Sequence, residues 1–126
     1  MRKEVKTKDA PEAIGPYSQG ISAAGFVFVS GQLPIDPVTG GFPEGGIENQ
    51  TRQALRNLKA VLEAGGSRME NVVKTTVFLR DLEDFPAMNR VYGEFFSGVY
   101  PARSTVQAAG LPKGALVEIE AIALMA

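Results

Sequence analysis

A chain of 126 residues suffices for one domain that buries roughly two-thirds of its unfolded surface. With 13 basic and 14 acidic residues, a formal net charge of −1 and 44% hydrophobic content, it argues against disorder and lacks the basic footprint of a nucleic-acid binder. The absence of both Cys and His excludes disulfides, thiolate nucleophiles, a Ser-His-Asp relay and the commonest metal ligand. A carboxylate-bound Mg²⁺ stays open in principle, but no Asp/Glu cluster has suitable spacing, so no metal site is expected.

The N-terminal "MRKEVKTKDA" has no apolar core, and no apolar run approaches about 18 residues. The expectation is a soluble, cytoplasmic protein without a membrane partner. A short strand is expected near Glu4–Thr7, followed by the Pro/Gly loop "DAPEAIGPY". "SQGISAAGFVFVSGQ" then reads as two strands meeting near Ala24-Gly25. "LPIDPVTGGFPEGG" carries three Pro and four Gly and reads as a long loop leading into a helix.

That helix spans Ile47 to about Ala64, with Ile47, Thr51, Ala54, Leu55, Leu58, Val61 and Leu62 on one stripe. Gly65-Gly66 supplies its C-terminal cap. "NVVKTTVFL" is a β-branched strand. A second helix follows, with Asp84 as N-cap, Pro86 in the first turn, and a stripe of Phe85, Met88, Tyr92, Phe95 and Phe96. "RSTVQAA" and "ALVEIEAIAL" are strands separated by "GLPKG". The order ββ(β)-α-β-α-ββ places the single domain, residues 1–126, in the α+β or α/β class, with two helices on one sheet.

Two helices cover only one face of such a sheet, yet "FVFV" and "VVKTTVFL" are apolar on both. Either a second copy of the chain covers the other face, which we favour, or that face is half wet. Alternation in "ALVEIEAIAL" sends Val117, Ile119, Ala121 and Ala123 beneath the helices. Leu116, Glu118, Glu120, Ile122 and Leu124 take the other face. There a glutamate is either a solvated surface charge or a paired group in an interface.

Arg103, behind Pro101 at the mouth of its strand, sharpens that choice. If "GLPKG" joins neighbouring antiparallel strands, Arg103 and one glutamate face each other across a cleft. They then form either a structural ion pair or an anion clamp, for which the planar guanidinium suits a carboxylate. Tyr17, Asn89, Lys74 and "SGQ" (Ser30–Gln32) are further polar or close-approach positions. On pattern alone each also reads as packing, a solvent-facing helix residue, a snorkelling stem or a common tripeptide.

"IGPYSQ", "SGQLPIDPVTG", "VVKTTVFLRDLEDFPAMNRVY", "PARSTVQ" and "LPKGALVEIEAIA" together resemble the Rid family of reactive-intermediate (enamine/imine) deaminases, in its RidA branch, over essentially the whole chain. The resemblance implies a chorismate-mutase-like (ferredoxin-like) fold, a homotrimer around a central barrel with active sites between subunits, and no cofactor. It implies hydrolysis of 2-iminobutanoate and 2-iminopropanoate to 2-oxo acids and ammonia. Position by position, it implies Arg103 as the substrate-carboxylate arginine and Glu118, rather than Glu120, as the water-positioning glutamate. Tyr17 and Asn89 match the family's aromatic and helix asparagine, while Gly31 and the Thr105 backbone match pocket-lining positions. Some relatives carry Cys where this chain has Thr105, so a role through the backbone N–H survives and a thiol role does not.

An imine carbon is already electrophilic, so a held substrate and a placed water suffice without histidine. Glu118, kept ionised by cationic neighbours, would steer and deprotonate that water. Three rivals remain at this level: a 2-oxo acid binding or chaperone-like module without turnover, a mutase acting on a dicarboxylate, and an RNA-directed activity. The last two want more cations than Arg103 and Lys74 provide.

Overall fold

The longest apolar spacing forms helix α1, Gly46–Ala64, in the computed structural model, which describes residues 1–126. Its stripe of Thr51, Ala54, Leu55, Leu58, Val61 and Leu62 is buried, as the spacing requires. The helix ends in a Schellman motif. Gly66, at φ 84°, takes the left-handed position, its N–H reaches Glu63 O, and Ser67 N–H reaches Leu62 O. Helix α2, Phe85–Gly93, is shorter than its apolar run, and Phe95 and Phe96 follow it. Asp84 makes no capping hydrogen bond. The Asp81 carboxylate caps the preceding 3-10 turn instead, accepting from Glu83 N–H.

The strands are β1 (Lys3–Val5), β2 (Gly20–Ala23), β3 (Phe26–Gln32), β4 (Val72–Leu79), β5 (Ala102–Gln107) and β6 (Val117–Leu124). They form one mixed sheet in the order β1-β2-β3-β6-β4-β5, confirming the α+β sheet with two helices on one face. All pairs are antiparallel except β4–β5, which is parallel because α2 provides the crossover. The reading of "GLPKG" as a link between neighbours is corrected here. β4 lies between β5 and β6, since β6 uses both its edges, on β3 and on β4.

Alternation divides the sheet cleanly. Val27, Val29, Thr75, Val77, Val117, Ile119, Ala121 and Ala123 are buried and pair with one another across the strands, so they share the face beneath the helices. Glu118, Glu120, Ile122 and Leu124 take the opposite face with Phe26, Phe28, Thr76 and Phe78. This second face keeps large apolar side chains in solvent, Phe28 at 42% and Leu124 at 46% exposure. No helix is long and apolar enough to cross a membrane.

Two buried amides fix the loops that lead to the site. Asn57, on α1, donates to Leu33 O at 3.0 Å and Ile35 O at 2.9 Å, pinning the chain as it leaves β3. Gln19 donates to Thr7 O, Ala10 O and Pro11 O at 3.0, 3.3 and 2.8 Å and accepts from Thr7 N–H at 2.7 Å. It therefore ties the N-terminal loop to the start of β2. Replacing Gln19 by Ala strands these backbone groups, at a cost of about 2–3 kcal/mol. The expected outcome is a lower urea midpoint, with loss of amide protection concentrated at Thr7.

Candidate active site

Arg103 is placed by its strand and oriented by a helix. In β5 it stands in register with Thr75, so its side chain leaves the sheet on the helix-covered face. There it meets Phe85, Asn89 and Tyr92, spaced i, i+4 and i+7 along one side of α2. Asn89 Oδ1 accepts from Nη1 at 2.8 Å. The guanidinium carbon sits 4.7 Å from the Tyr92 ring centre and 5.4 Å from that of Phe85, within cation–π range. Arg103 takes part in none of the chain's ion pairs, which are Arg52–Glu94, Arg68–Glu70 and Arg90–Glu48. Its Nε and Nη2 edge is left without a protein acceptor.

Thr105 follows on the same side of β5, in register with Val77, and its hydroxyl is buried without a partner. Ala108 N–H donates to Leu79 O, so by strand alternation the amides of Arg103, Thr105 and Gln107 point to the free edge of the sheet. An oriented cation and unpaired edge amides thus lie side by side. Exposed Val99 and Tyr100 precede them on the approach to β5.

Glu118 sits elsewhere. It pairs with Phe78 and therefore occupies the face away from the helices. The β3–β6 register shifts between Val29 and Gln32, and this bulge brings Gly31 against the glutamate. A Cβ at Gly31 would overlap the Glu118 carboxylate, so the close approach requires glycine. Half-burial, with Glu120 as a lesser like charge, pushes the Glu118 carboxyl above its ordinary range. The cationic neighbours expected from the sequence are absent within the chain. Lys74 instead donates to Ser104 Oγ at 3.1 Å.

Tyr17 belongs to the Glu118 side. It is 54% exposed and lines a shallow surface groove with Gly15, Ser18, Ile21, Phe28 and Ser30. Ser30 holds that loop to the sheet, its hydroxyl donating to Ser18 O and its N–H to Gln19 O.

The sequence-derived residues thus fall into two groups: Arg103, Asn89 and Thr105 in one, Glu118, Gly31 and Tyr17 in the other. They lie on opposite faces with β4 between, so no single chain forms the Arg103–Glu118 cleft. Sequence reasoning assigned Phe85 and Tyr92 to the core stripe and missed their contact with Arg103. The i, i+4, i+7 spacing with Asn89 was the available signal.

The displaced Glu118 titration is directly measurable. Carbon-detected NMR of the side-chain carboxyls should find the Glu118 transition responsive to the charge at Glu120. Glu120→Gln removes a like charge, so the Glu118 transition should move to lower pH. A shift upward, or none, contradicts this account.

Comparison with known proteins places this geometry in a family. Residues 7–125 match the family described as Endoribonuclease L-PSP. A RutC family protein of Pyrococcus horikoshii is 52% identical over 123 residues, covering 98% of each chain. A 2-iminobutanoate/2-iminopropanoate deaminase of Salmonella typhimurium is 48% identical over 127 residues, again covering 98% of each. The crystal structure of a conserved Rid-family protein of unknown function from Yersinia pestis superposes with a TM-score of 0.96 at 48% identity, covering 99% of this chain and 100% of that one. With its whole fold and nearly its whole length matched, the chain belongs to the Endoribonuclease L-PSP, or Rid, family.

Proposed function

We propose that this protein hydrolyses small 2-imino acids, 2-iminobutanoate and 2-iminopropanoate among them, to 2-oxo acids and ammonia, in sites completed between copies of the chain. The observation that carries this reading is Arg103, a guanidinium oriented by Asn89 and two rings and left without a carboxylate of its own. Such a group is a receptor for a small carboxylate. The exposed Phe28 and Leu124 on the Glu118 face support a second copy as the cover. We take the assembly to be the homotrimer that the family resemblance implies. The named deaminase among the relatives supports the reaction class.

The chemistry follows from the two half-sites. Arg103, with the Thr105 N–H, fixes the substrate carboxylate and with it the adjacent C=N carbon. Glu118 of a neighbouring copy takes a proton from water as the water oxygen bonds to that carbon. A carboxyl raised above its usual range is the stronger base once ionised, which suits this role near neutrality. Glu118 then returns that proton to nitrogen, giving a carbinolamine. It next takes the hydroxyl proton of that intermediate and passes it to nitrogen as the C=O bond forms and the C–N bond breaks, and ammonia and the 2-oxo acid leave. Tyr17 and Asn89 border the space. Every atom is supplied by imine and water, so no cofactor is called for. The endoribonuclease activity in the family's description is less favoured, because a chain of net charge −1 lacks the basic footprint that RNA binding draws on.

The test generates 2-iminobutanoate with an amino-acid oxidase and traps the surviving imine with semicarbazide. The wild type should lower trapping below the buffer control. Arg103→Ala should cut kcat/KM by about 30-fold to 10³-fold, the 2–4 kcal/mol of a lost charged partner. Glu118→Gln should cut it by about 10²–10⁴. Activity should rise with pH through an acid limb set by Glu118, and Glu120→Gln, which removes a like charge, should move that limb to lower pH. Wild-type trapping equal to buffer overturns the deaminase reading. Saturable 2-oxobutanoate binding without turnover would then indicate a binding module. A solution mass equal to one chain overturns the shared site.

A further inference from the structure

The deaminase reading makes Arg103 the carboxylate clamp; the structure also contains a device that sets the plane of that clamp. Tyr92 is buried, 4% exposed, yet it is a tyrosine, and its hydroxyl lies 2.7 Å from Thr75 Oγ1. Thr75 is the polar exception among the inward-facing residues of β4, fully buried between apolar neighbours. It is also the residue in register with Arg103 across the β4–β5 pair. Three residues therefore close a ring. The strand pairing joins Arg103 to Thr75, the hydrogen bond joins Thr75 to Tyr92, and the Tyr92 face carries the Arg103 guanidinium at 4.7 Å.

A purely space-filling role would be met by phenylalanine, as at the adjacent Phe96, whose ring centre is 4.7 Å from that of Tyr92. A buried hydroxyl is tolerated because Thr75 satisfies it. That bond prevents the Tyr92 ring from tilting about its own anchor, and the guanidinium lying on it inherits the orientation. Asn89 fixes rotation within the plane by holding Nη1. Phe85 offers a second aromatic contact. The Nε–Nη2 edge is then left free in a fixed direction, the geometry that bidentate carboxylate recognition needs.

We infer that Tyr92, anchored by Thr75, is a positioning residue for the Arg103 carboxylate clamp, acting on anion selectivity rather than on the proton transfer. The inference rests on the clamp role proposed for Arg103, and its test separates the two. Affinities for 2-oxobutanoate and for its neutral carboxamide are measured calorimetrically on the assembled protein. The readout is the ratio between them. The wild type should prefer the anion, and Arg103→Ala should abolish that preference. Tyr92→Leu should reduce it by at least about fivefold, the scale of one lost cation–π contact. Tyr92→Phe and Thr75→Val, which keep the ring and the packing volume, should reduce it by about twofold to fivefold on the same scale. The acid limb set by Glu118 should stay in place in all three.

A merely structural Tyr92 would lower thermal stability while leaving the anion-to-amide ratio unchanged. Should Tyr92→Leu fail to fold, Tyr92→Phe and Thr75→Val still decide the question. Wild-type ratios in both overturn the inference while leaving the clamp standing. If the wild type itself shows no anion preference, or Arg103→Ala retains it, the clamp fails and the inference falls with it.

Discussion

Two helices shield one face of a six-stranded sheet, and the chemistry of this protein is arranged around that shortfall. Because strand side chains alternate, each functional residue is assigned to a face by the parity of its position. Thr75 and Arg103 share the helix-covered face, while Phe78 and Glu118 share the other. The helix-covered face can pre-orient a side chain, because α2 lies against it. The uncovered face can bring a carboxylate into partial burial only by the Gly31 bulge, and it needs another molecule to complete the enclosure. In the proposed function, one half-site is therefore cationic and oriented by α2, the other acidic and open.

The two halves are electrostatically incomplete in complementary ways. Arg103 has aromatic faces and an amide oxygen but no counter-ion. Glu118 has burial and a like charge but no cation. In the proposed assembly, bringing Arg103 of one copy near Glu118 of another favours the ionised carboxylate, while an arriving substrate anion partly cancels that effect. Substrate binding then returns Glu118 toward its raised, more basic condition as the electrophile arrives. The base strengthens when it has work to do, through charges supplied by Arg103 and the substrate carboxylate alone.

Much of this was legible in the residues because the patterns concerned are local. The α1 stripe, its Gly65-Gly66 terminus and the in-out alternation from Val117 to Leu124 depend on neighbours a few positions away, and periodicity reports such neighbours directly. What failed was long-range pairing. "GLPKG" is short enough to join adjacent strands, yet β6 already uses both edges, so β5 is displaced to the rim and Arg103 to the other face. Asp84 holds the N-cap position that the pattern assigned to it but makes no capping bond, because the 3-10 turn at Leu82–Asp84, capped by Asp81, runs straight into α2. Gln19 gave no signal at all. A buried amide that binds loop carbonyls has no period, and in a polar loop it reads as surface.

The same limit explains why Tyr92 passed for core. Spacing reports that a residue faces inward and is silent on what lies across from it. A phenol and an arginine eleven positions apart in sequence become partners only because β5 returns parallel to β4 over α2. That crossover puts the Arg103 side chain above the helix that has just ended, and the register then sets Thr75 beside it. The parallel pair, uncommon in an otherwise antiparallel sheet, is thus the feature that brings Arg103 onto Asn89, Phe85 and Tyr92. An antiparallel β5 would reverse the strand and direct the chain from Pro101 into a different register against Thr75. The surroundings of Arg103 are consequently a property of the topology as much as of the arginine, and the proposed function places its carboxylate receptor on the one parallel pair of the sheet.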